Sequence, residues 1–465
     1  MTQRWRRLVT ILAAPADAAG LAVFRVLFGA LIALGSARFL DAGWPEKLYG
    51  APRFLFRYAG FEWVPAPTAH IAALCYGAFV ILGLGIAIGA LYRCCIVAFV
   101  VLDVFVQLGD VTTYLNHAWL VVLLGAVLCV VPAHQTWSVD AWLWRRRPPT
   151  VPRAALVVLQ VPVACVYIFA AVAKVGMDWL AFGQPLSVWL PPRSALPLIG
   201  PVLVVPWVPL LLSWGGFVYD ATIVPLLLWR RTRIFAYVLV VVFHGLTRAF
   251  FEIGMFPFIM MVATTLMFTP SWPRGGRAGV APSPPPHLPA APRQHVLAIV
   301  VVAWCALNVA VPLRCFAIAD NVLWDEAGMR FSWRVMLREK SGALSYRVTF
   351  TRQTEHGDPR RRTVFVSPHD WLTWRQANEM VGQPDLILQL AHAIRDDFVG
   401  RGATDVEVRA DCAITFNGRP AAPFIDPDVD LARQDTCVLC RPRWVLPSPS
   451  TTPPSPLRSF VRDTP

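Results

Sequence analysis

Charge is what this chain has least of. Only 15% of its 465 residues are Asp, Glu, Lys or Arg, 56% are hydrophobic, and the mean hydropathy is +0.51. An ordinary soluble domain carries about 25% charged residues, so the composition excludes that class and leaves a polytopic membrane protein. Acidic residues are the scarcer sign, 29 against 42 Lys and Arg, for a formal net charge of +13. The cations form no continuous basic face. They stand as loop anchors beside apolar stretches, which argues against nucleic acid as a partner and for the lipid bilayer.

Other absences narrow the chemistry. No His or Cys spacing suits a metal, and Cys437-Val438-Leu439-Cys440 has neither a second CxxC nor a thioredoxin-like context. Six cysteines, Cys75, Cys94, Cys95, Cys129, Cys165 and Cys305, lie in or beside apolar stretches and read as packing, leaving Cys315, Cys412, Cys437 and Cys440 as candidates for external disulfides. No internal repeat is evident, which weighs against a transporter built from inverted repeats.

Apolar stretches are abundant. They recur at about 20–40, 68–91, 94–109, 114–132, 154–175, 201–229, 234–247, 250–269 and 296–314, nine candidates against the roughly 20 residues a spanning helix needs. The third and seventh are short, so the expected fold is a polytopic α-helical membrane bundle of about 8–9 transmembrane helices. With the N-terminus inside, fourteen arginines fall on inner segments, Arg93, Arg153, Arg230 and Arg274 among them. The outer connections hold Arg38, Lys47, Arg53, Arg57, Arg193 and Arg248. The positive-inside bias then sets the orientation and places the chain after Arg314 outside.

The divisions follow from these changes of character. Residues 1–19 are a cytoplasmic N-terminal segment, retained because Pro15 and Asp17 interrupt its signal-like start. Residues 20–314 are the helical domain, with a Pro-rich cytoplasmic linker at 271–293. Residues 315–446 are an extracytoplasmic β-rich α+β domain. There Tyr346, Val348 and Phe350 alternate with polar residues, Thr363–Val366 and Val406–Val408 repeat the pattern, and Asp370–Val381 and Pro384–Val399 have helical spacing. Asn417-Gly418 predicts a hairpin turn. Residues 447–465, rich in Pro, Ser and Thr, read as a disordered tail.

Polar groups converge on the outer side. Lys174 closes the fifth stretch, Asn116 and His117 open the fourth, and His244 ends the seventh, followed by Arg248 and Glu252. The plain readings are a snorkelling or i,i+4 pairing of Lys174 with Asp178, helix capping by Asn116, and a solvated stripe through His244. Arg25 and Asp103, inside the stretches, call for structural pairing. The functional reading is sharper. A desolvated lysine amine falls from about 10.4 towards roughly 7–8, where its neutral form is a general base, and an apolar pocket suits a lipid-soluble quinol.

At this point several tracts, in order, resemble the vitamin K-dependent gamma-carboxylases and their bacterial relatives with an HTTM-type membrane domain. They are Phe24-Arg25-Val26-Leu27-Phe28-Gly29, Thr112-Thr113-Tyr114-Leu115-Asn116-His117, Trp137-Ser138-Val139-Asp140, Lys174-Val175-Gly176-Met177-Asp178-Trp179, Ile253-Gly254-Met255-Phe256 and Phe331-Ser332-Trp333-Arg334-Val335-Met336. The resemblance implies a lyase-type membrane enzyme that uses reduced vitamin K, O2 and CO2 to carboxylate a glutamate of an exported polypeptide. Lys174 matches the base, His117 a histidine of the carboxylation step, and Asn116 stands beside it. Thr113, Tyr114, His244 and Met255 are candidates for contacting the quinol, and no metal is implied. The implied location is a bacterial inner (cytoplasmic) membrane. The chain departs from the animal pattern at Ala173-Lys174, where two lysines adjoin, and at Arg338, where a histidine stands. The alternatives are quinol epoxidation without protein carboxylation, and a non-enzymatic quinone-binding protein or transporter.

Overall fold

The computed structural model describes residues 2–144, 150–275, 291–353, 358–437 and 440–454. Most of the expected linker and the last eleven residues of the expected tail lie outside the described residues. The chain starts with an amphipathic helix, α1 (Gln3–Ala13), capped by Thr2, whose hydroxyl accepts the Trp5 N–H at 3.4 Å. Its apolar face buries Val9 and Leu12 against Ala298 and Val301, and Trp5 Nε1 donates to His295 Nδ1 at 3.2 Å. A short antiparallel pair, β1 (Pro15–Asp17) with β2 (Thr150–Pro152), ties this end of the bundle together.

The bundle consists of α2 (Ala19–Asp41), α3 (Ala69–Ile88), α4 (Tyr92–Gln107), α5 (Asn116–Val130), α6 (Arg153–Lys174), α7 (Val208–Leu228), α8 (Arg233–Phe250), α9 (Phe256–Thr264) and α10 (Pro292–Ile318). Among the described residues six of these, α2, α3, α6, α7, α8 and α10, are long and apolar enough to cross a membrane. The expected 8–9 spans are corrected to six. Helices α4, α5 and α9 hold 16, 15 and 9 residues. At 1.5 Å per residue, fifteen residues reach about 22 Å, short of a hydrocarbon layer of roughly 30 Å. Helix α4 carries Arg93 and Asp103, α5 begins only after the extended Leu115, and α9 tightens into a 3-10 turn at Thr265–Met267.

Small residues let α2 and α3 cross closely. A Cβ on Gly29 would come within 2.5 Å of the Gly83 carbonyl oxygen, and one on Gly83 within 2.7 Å of the Ala33 nitrogen. Without water to drive association, such close backbone contact is a main source of helix packing in lipid. Arg25, on the same helix, is buried and donates to the carbonyls of Ile86 and Trp137 at 3.2 and 2.5 Å. Asp103 instead accepts from Gln107 Nε2 at 2.8 Å. Arg25 and Asp103 thus each find a partner, and neither finds the other.

After α10 an antiparallel four-stranded sheet forms in the order β4 (Pro359–Val366), β3 (Lys340–Gln353), β5 (Thr404–Phe416), β6 (Arg419–Pro423). Alternation puts Tyr346, Val348, Val408, Ala410 and Ile414 on the inner face, where Leu386, Ile387, Leu390 and Ile394 of α12 (Pro384–Gly400) cover them. A shorter helix, α11 (Trp374–Met380), opens with a capping box from Thr373 and Gln376. Asn417 and Gly418 have φ of 47° and 75°, the left-handed pair that a two-residue hairpin turn requires.

The sheet domain rests on one end of the bundle. Gln376 Nε2 donates to the Phe54 carbonyl at 2.9 Å and Arg375 to that of Thr112 at 2.9 Å, and Arg57 and Gln389 exchange two hydrogen bonds of 2.9 and 3.0 Å. Beneath them the buried carboxylate of Asp110 accepts from the Thr112 hydroxyl at 2.6 Å and from Gln376 at 3.2 Å. Cys437 and Cys440 form a disulfide, whereas Cys315 and Cys412 are free and buried.

Candidate functional site

Lys174 is the last residue of α6, and its amine turns inward. Nζ donates to Asp220 Oδ2 on α7 at 2.6 Å and approaches the Ala170 carbonyl at 3.4 Å. The Trp179 ring centroid lies 5.1 Å from it, within cation–π range. Gly216, one turn before Asp220, lies beside the pair, and a Cβ there would be in ordinary contact with Lys174 Cε at 3.9 Å. Trp179 is fixed in turn by donating from Nε1 to the Ser213 carbonyl at 2.7 Å.

This overturns both plain readings of the lysine. It does not snorkel, because both side chains of the pair are buried. It does not pair with Asp178, because the chain leaves the helix at Val175 and Asp178 turns to the sheet domain. There Arg419 grips it with two bonds of 2.7 and 2.8 Å, and Asn417 Nδ2 adds a third at 2.9 Å. The β5–β6 hairpin thereby holds the segment that follows Lys174.

Asp220 was not singled out from the sequence, although the signal was available. It is the one acidic residue in the 21-residue helix α7, and an intramembrane carboxylate marks a site or a paired charge by default. Next to it, Tyr219 stacks on Phe243 at 3.9 Å and meets Tyr167 edge-on at 5.9 Å. Tyr167 stands two turns before Lys174 on α6, and its hydroxyl hydrogen-bonds His244 Nε2 at 3.1 Å. His244 Nδ1 is buried without a partner among the described residues. The expected solvated stripe through His244, Arg248 and Glu252 is not formed: α8 ends at Phe250 and His244 faces inward.

From His244 a line of rings continues. Phe256 lies 5.7 Å from it and 6.0 Å from His117. His117 and Met255 line an apolar cavity of about 160 Å³ inside the bundle, walled by Phe24, Phe28, Phe79 and Phe99 with Asp103 and Gln107 as polar groups. His117 makes no hydrogen bond among the described residues. A small aromatic ring with a polar substituent suits such a wall: mostly apolar, with a few hydrogen-bonding groups.

The remaining candidates face elsewhere. Tyr114 donates to Asn116 Oδ1 at 3.1 Å and accepts the Phe331 N–H at 2.8 Å, while the Thr113 hydroxyl donates to the Asp110 carbonyl at 2.7 Å. Tyr114 lines a separate cavity at the junction with the sheet domain. The structure therefore brings His117, Met255 and His244 to one line of contacts. It leaves Lys174, Thr113 and Asn116 on neither cavity wall and turns Tyr114 towards the junction. Among the described residues no group of three or more His, Cys, Asp or Glu could hold a metal ion.

Comparison with known families covers both parts of the chain. The family model for the HTTM domain matches residues 13–272, and that for the vitamin K-dependent gamma-carboxylase lumenal domain matches residues 293–451. No solved structure matches.

Proposed function

We propose, from the premise that this chain belongs to the HTTM and vitamin K-dependent gamma-carboxylase family, that it is a membrane enzyme coupling oxygenation of a reduced naphthoquinone to carboxylation of a glutamate side chain. The observation that carries the reading is the Lys174–Asp220 pair, closed off from water at the end of α6. With Nζ in its neutral form, Lys174 would accept a proton as a general base, and the Asp220 carboxylate would stabilise the ammonium that forms.

The reduced vitamin K would supply the reducing equivalents and, with O2, the strong base that a glutamate γ-proton demands. The cavity walled by Phe24, Phe28 and Met255 would hold its ring, with His117 and His244 Nδ1, which has no partner among the described residues, as hydrogen-bonding groups nearby. Tyr167 and His244 stand between Lys174 and that cavity. Tyr114 would act on the sheet-domain side of the bundle, with Thr113 and Asn116 holding the segment that carries it. Six crossings alone would return the chain to its starting side; with the shorter α4 and α5, which join the Arg93 end of the bundle to the junction, and α9 as further passes, the arginine bias of the inner segments supports an N-terminus inside and a C-terminal domain outside a bacterial inner membrane.

The test is the purified protein given reduced vitamin K, O2, labelled bicarbonate and a glutamate peptide. Wild type is expected to form epoxide and fix label. Lys174→Arg keeps the ion pair but cannot give up its proton, so it is expected to fold and make no epoxide; normal epoxide formation by this variant removes Lys174 from the mechanism. His117→Ala is expected to spare epoxide formation more than carbon fixation, and equal loss of both refutes its role. Epoxide without label in any peptide assigns quinol epoxidation alone.

A further inference from the structure

The cavity at the junction between bundle and sheet domain is the larger one, about 860 Å³. One wall is apolar and comes from the helices of the bundle, with Val104 and Leu108 at the end of α4 and Trp119 and Val122 on α5. The lining also holds five arginines, Arg57 and Arg314 from the bundle and Arg330, Arg441 and Arg443 from the chain after α10. Two of these are neutralised, Arg330 by Asp385 at 2.6 Å and Arg441 by Asp320 at 2.6 Å. Three are not. The Arg57 guanidinium donates to the Gly109 carbonyl at 3.2 Å and has the exposed carboxylate of Glu62 near it, that of Arg314 donates to the carbonyls of Val311 and Arg330, and Arg443 makes no side-chain hydrogen bond or ion pair among the described residues. On the acidic side, Glu326 of the lining is held by Lys340 at 2.8 Å, Asp325 lies 3.8 Å from Arg441 and Asp385 is taken by Arg330, so among the described lining residues Asp435 is the carboxylate left without an ion pair.

A surplus of guanidinium groups beside an apolar wall asks for an amphiphile with a negative head. We propose that this cavity binds one phospholipid with an anionic headgroup, its phosphate on Arg57, Arg314 and Arg443 and an acyl chain along Val104, Leu108, Trp119 and Val122. The guanidinium fork matches phosphate geometry, and basic pockets beside membrane helices are where such headgroups are held. An acidic peptide would satisfy the arginines but leave the apolar wall against water, and so fits less well. The proposal does not rest on quinol chemistry, and its test needs no turnover.

Delipidated full-length protein is titrated with phosphatidylglycerol and with phosphatidylcholine, and bound lipid is counted by native mass spectrometry. One phosphatidylglycerol is expected per chain, held on the order of tenfold more tightly than phosphatidylcholine, the scale of one charge-assisted contact. Arg443→Gln has no side-chain bond to lose, so it is expected to fold normally and to cut that preference at least about threefold, while Arg443→Lys keeps most of it. Trp119→Ala is expected to weaken both lipids alike. Equal binding of the two lipids by wild type, or an unchanged preference in Arg443→Gln and in Arg57→Gln, overturns the proposal. Displacement of the bound lipid by a glutamate-rich peptide that depends on the same arginines also overturns it and assigns the cavity to a peptide.

Discussion

Replacing Asp220 by Asn removes the charge opposite Lys174 while nearly preserving its volume. In the intact pair the charged atoms lie 2.6 Å apart on side chains only 8% and 7% exposed. At an effective dielectric of about 20 that separation gives roughly 6 kcal/mol of attraction, most of which offsets the several kcal/mol needed to strip water from each ion. The net contribution of the pair is therefore small, whereas stranding one partner costs about 3–5 kcal/mol. Asp220→Asn and Lys174→Met are each expected to show that loss, and the double variant is expected to recover at least about 2 kcal/mol of the sum. Thermal unfolding in detergent can be followed by reaction of the buried free thiols Cys75 and Cys165 with a fluorogenic maleimide. With about 2.1 cal/mol/K of unfolding entropy per residue over 465 residues, each single variant is expected to melt about 3–5 °C lower, and the double variant by less than the two shifts summed. If Asp220→Asn melts within about 2 °C of wild type, or the two losses simply add, Lys174 and Asp220 are not a mutually dependent buried pair.

Two further outcomes concern the sheet domain. Burial pushes the Lys340 ammonium down from 10.5 to about 8, although Glu326 beside it pulls upward. Between those values the unfolded chain binds more protons than the folded one, so stability is expected to rise with pH across that window, by at most about 1.4 kcal/mol per unit. Below about pH 8 this group contributes no slope. Lys340→Met is expected to flatten the rise in a melting series from neutral to alkaline pH, and an unchanged slope refutes the assignment. Asp110→Ala strands the Thr112 hydroxyl and amide and Gln376 Nε2, which now donate to that carboxylate at 2.6, 3.0 and 3.2 Å. At about 1 kcal/mol or more per orphaned donor the loss is about 3 kcal/mol, and hydrogen–deuterium exchange at Phe56, Thr112 and α11 is expected to quicken; unaltered exchange there would show that Asp110 does not join the two domains.

Much of the architecture is legible in the chain because it is written in short-range pattern. The apolar runs around α2, α3, α6, α7 and α10 are continuous enough to be found by composition alone, and the alternation of Tyr346, Val348 and Phe350 fixes which face of the sheet is covered. Asn417-Gly418 names its turn because few other residue pairs adopt two left-handed conformations in succession. The count of spanning helices was overestimated for a local reason: hydropathy does not mark where Leu115 becomes extended or where α9 tightens after Thr264.

The site was legible only in part. Lys174, His117 and His244 stand out as polar groups in apolar surroundings, but which of them meet depends on helix rotation and on contacts far apart in the chain. Lys174 and Asp220 are 46 positions apart, and Asp178 and Arg419 are 241 apart. No periodicity links such residues.

The sequence by itself determined that the chain is a membrane-embedded helical bundle with a β-rich domain after it, since burial of apolar runs and strand alternation act over a few residues. Tertiary structure alone decided that Lys174 is held by Asp220 and not by Asp178, that His117 faces the inner cavity while Tyr114 faces the junction, and that arginines meet apolar side chains there. Charge pairing and cavity shape are set by which helices pack side by side. That choice is made by the sum of many weak contacts between distant segments.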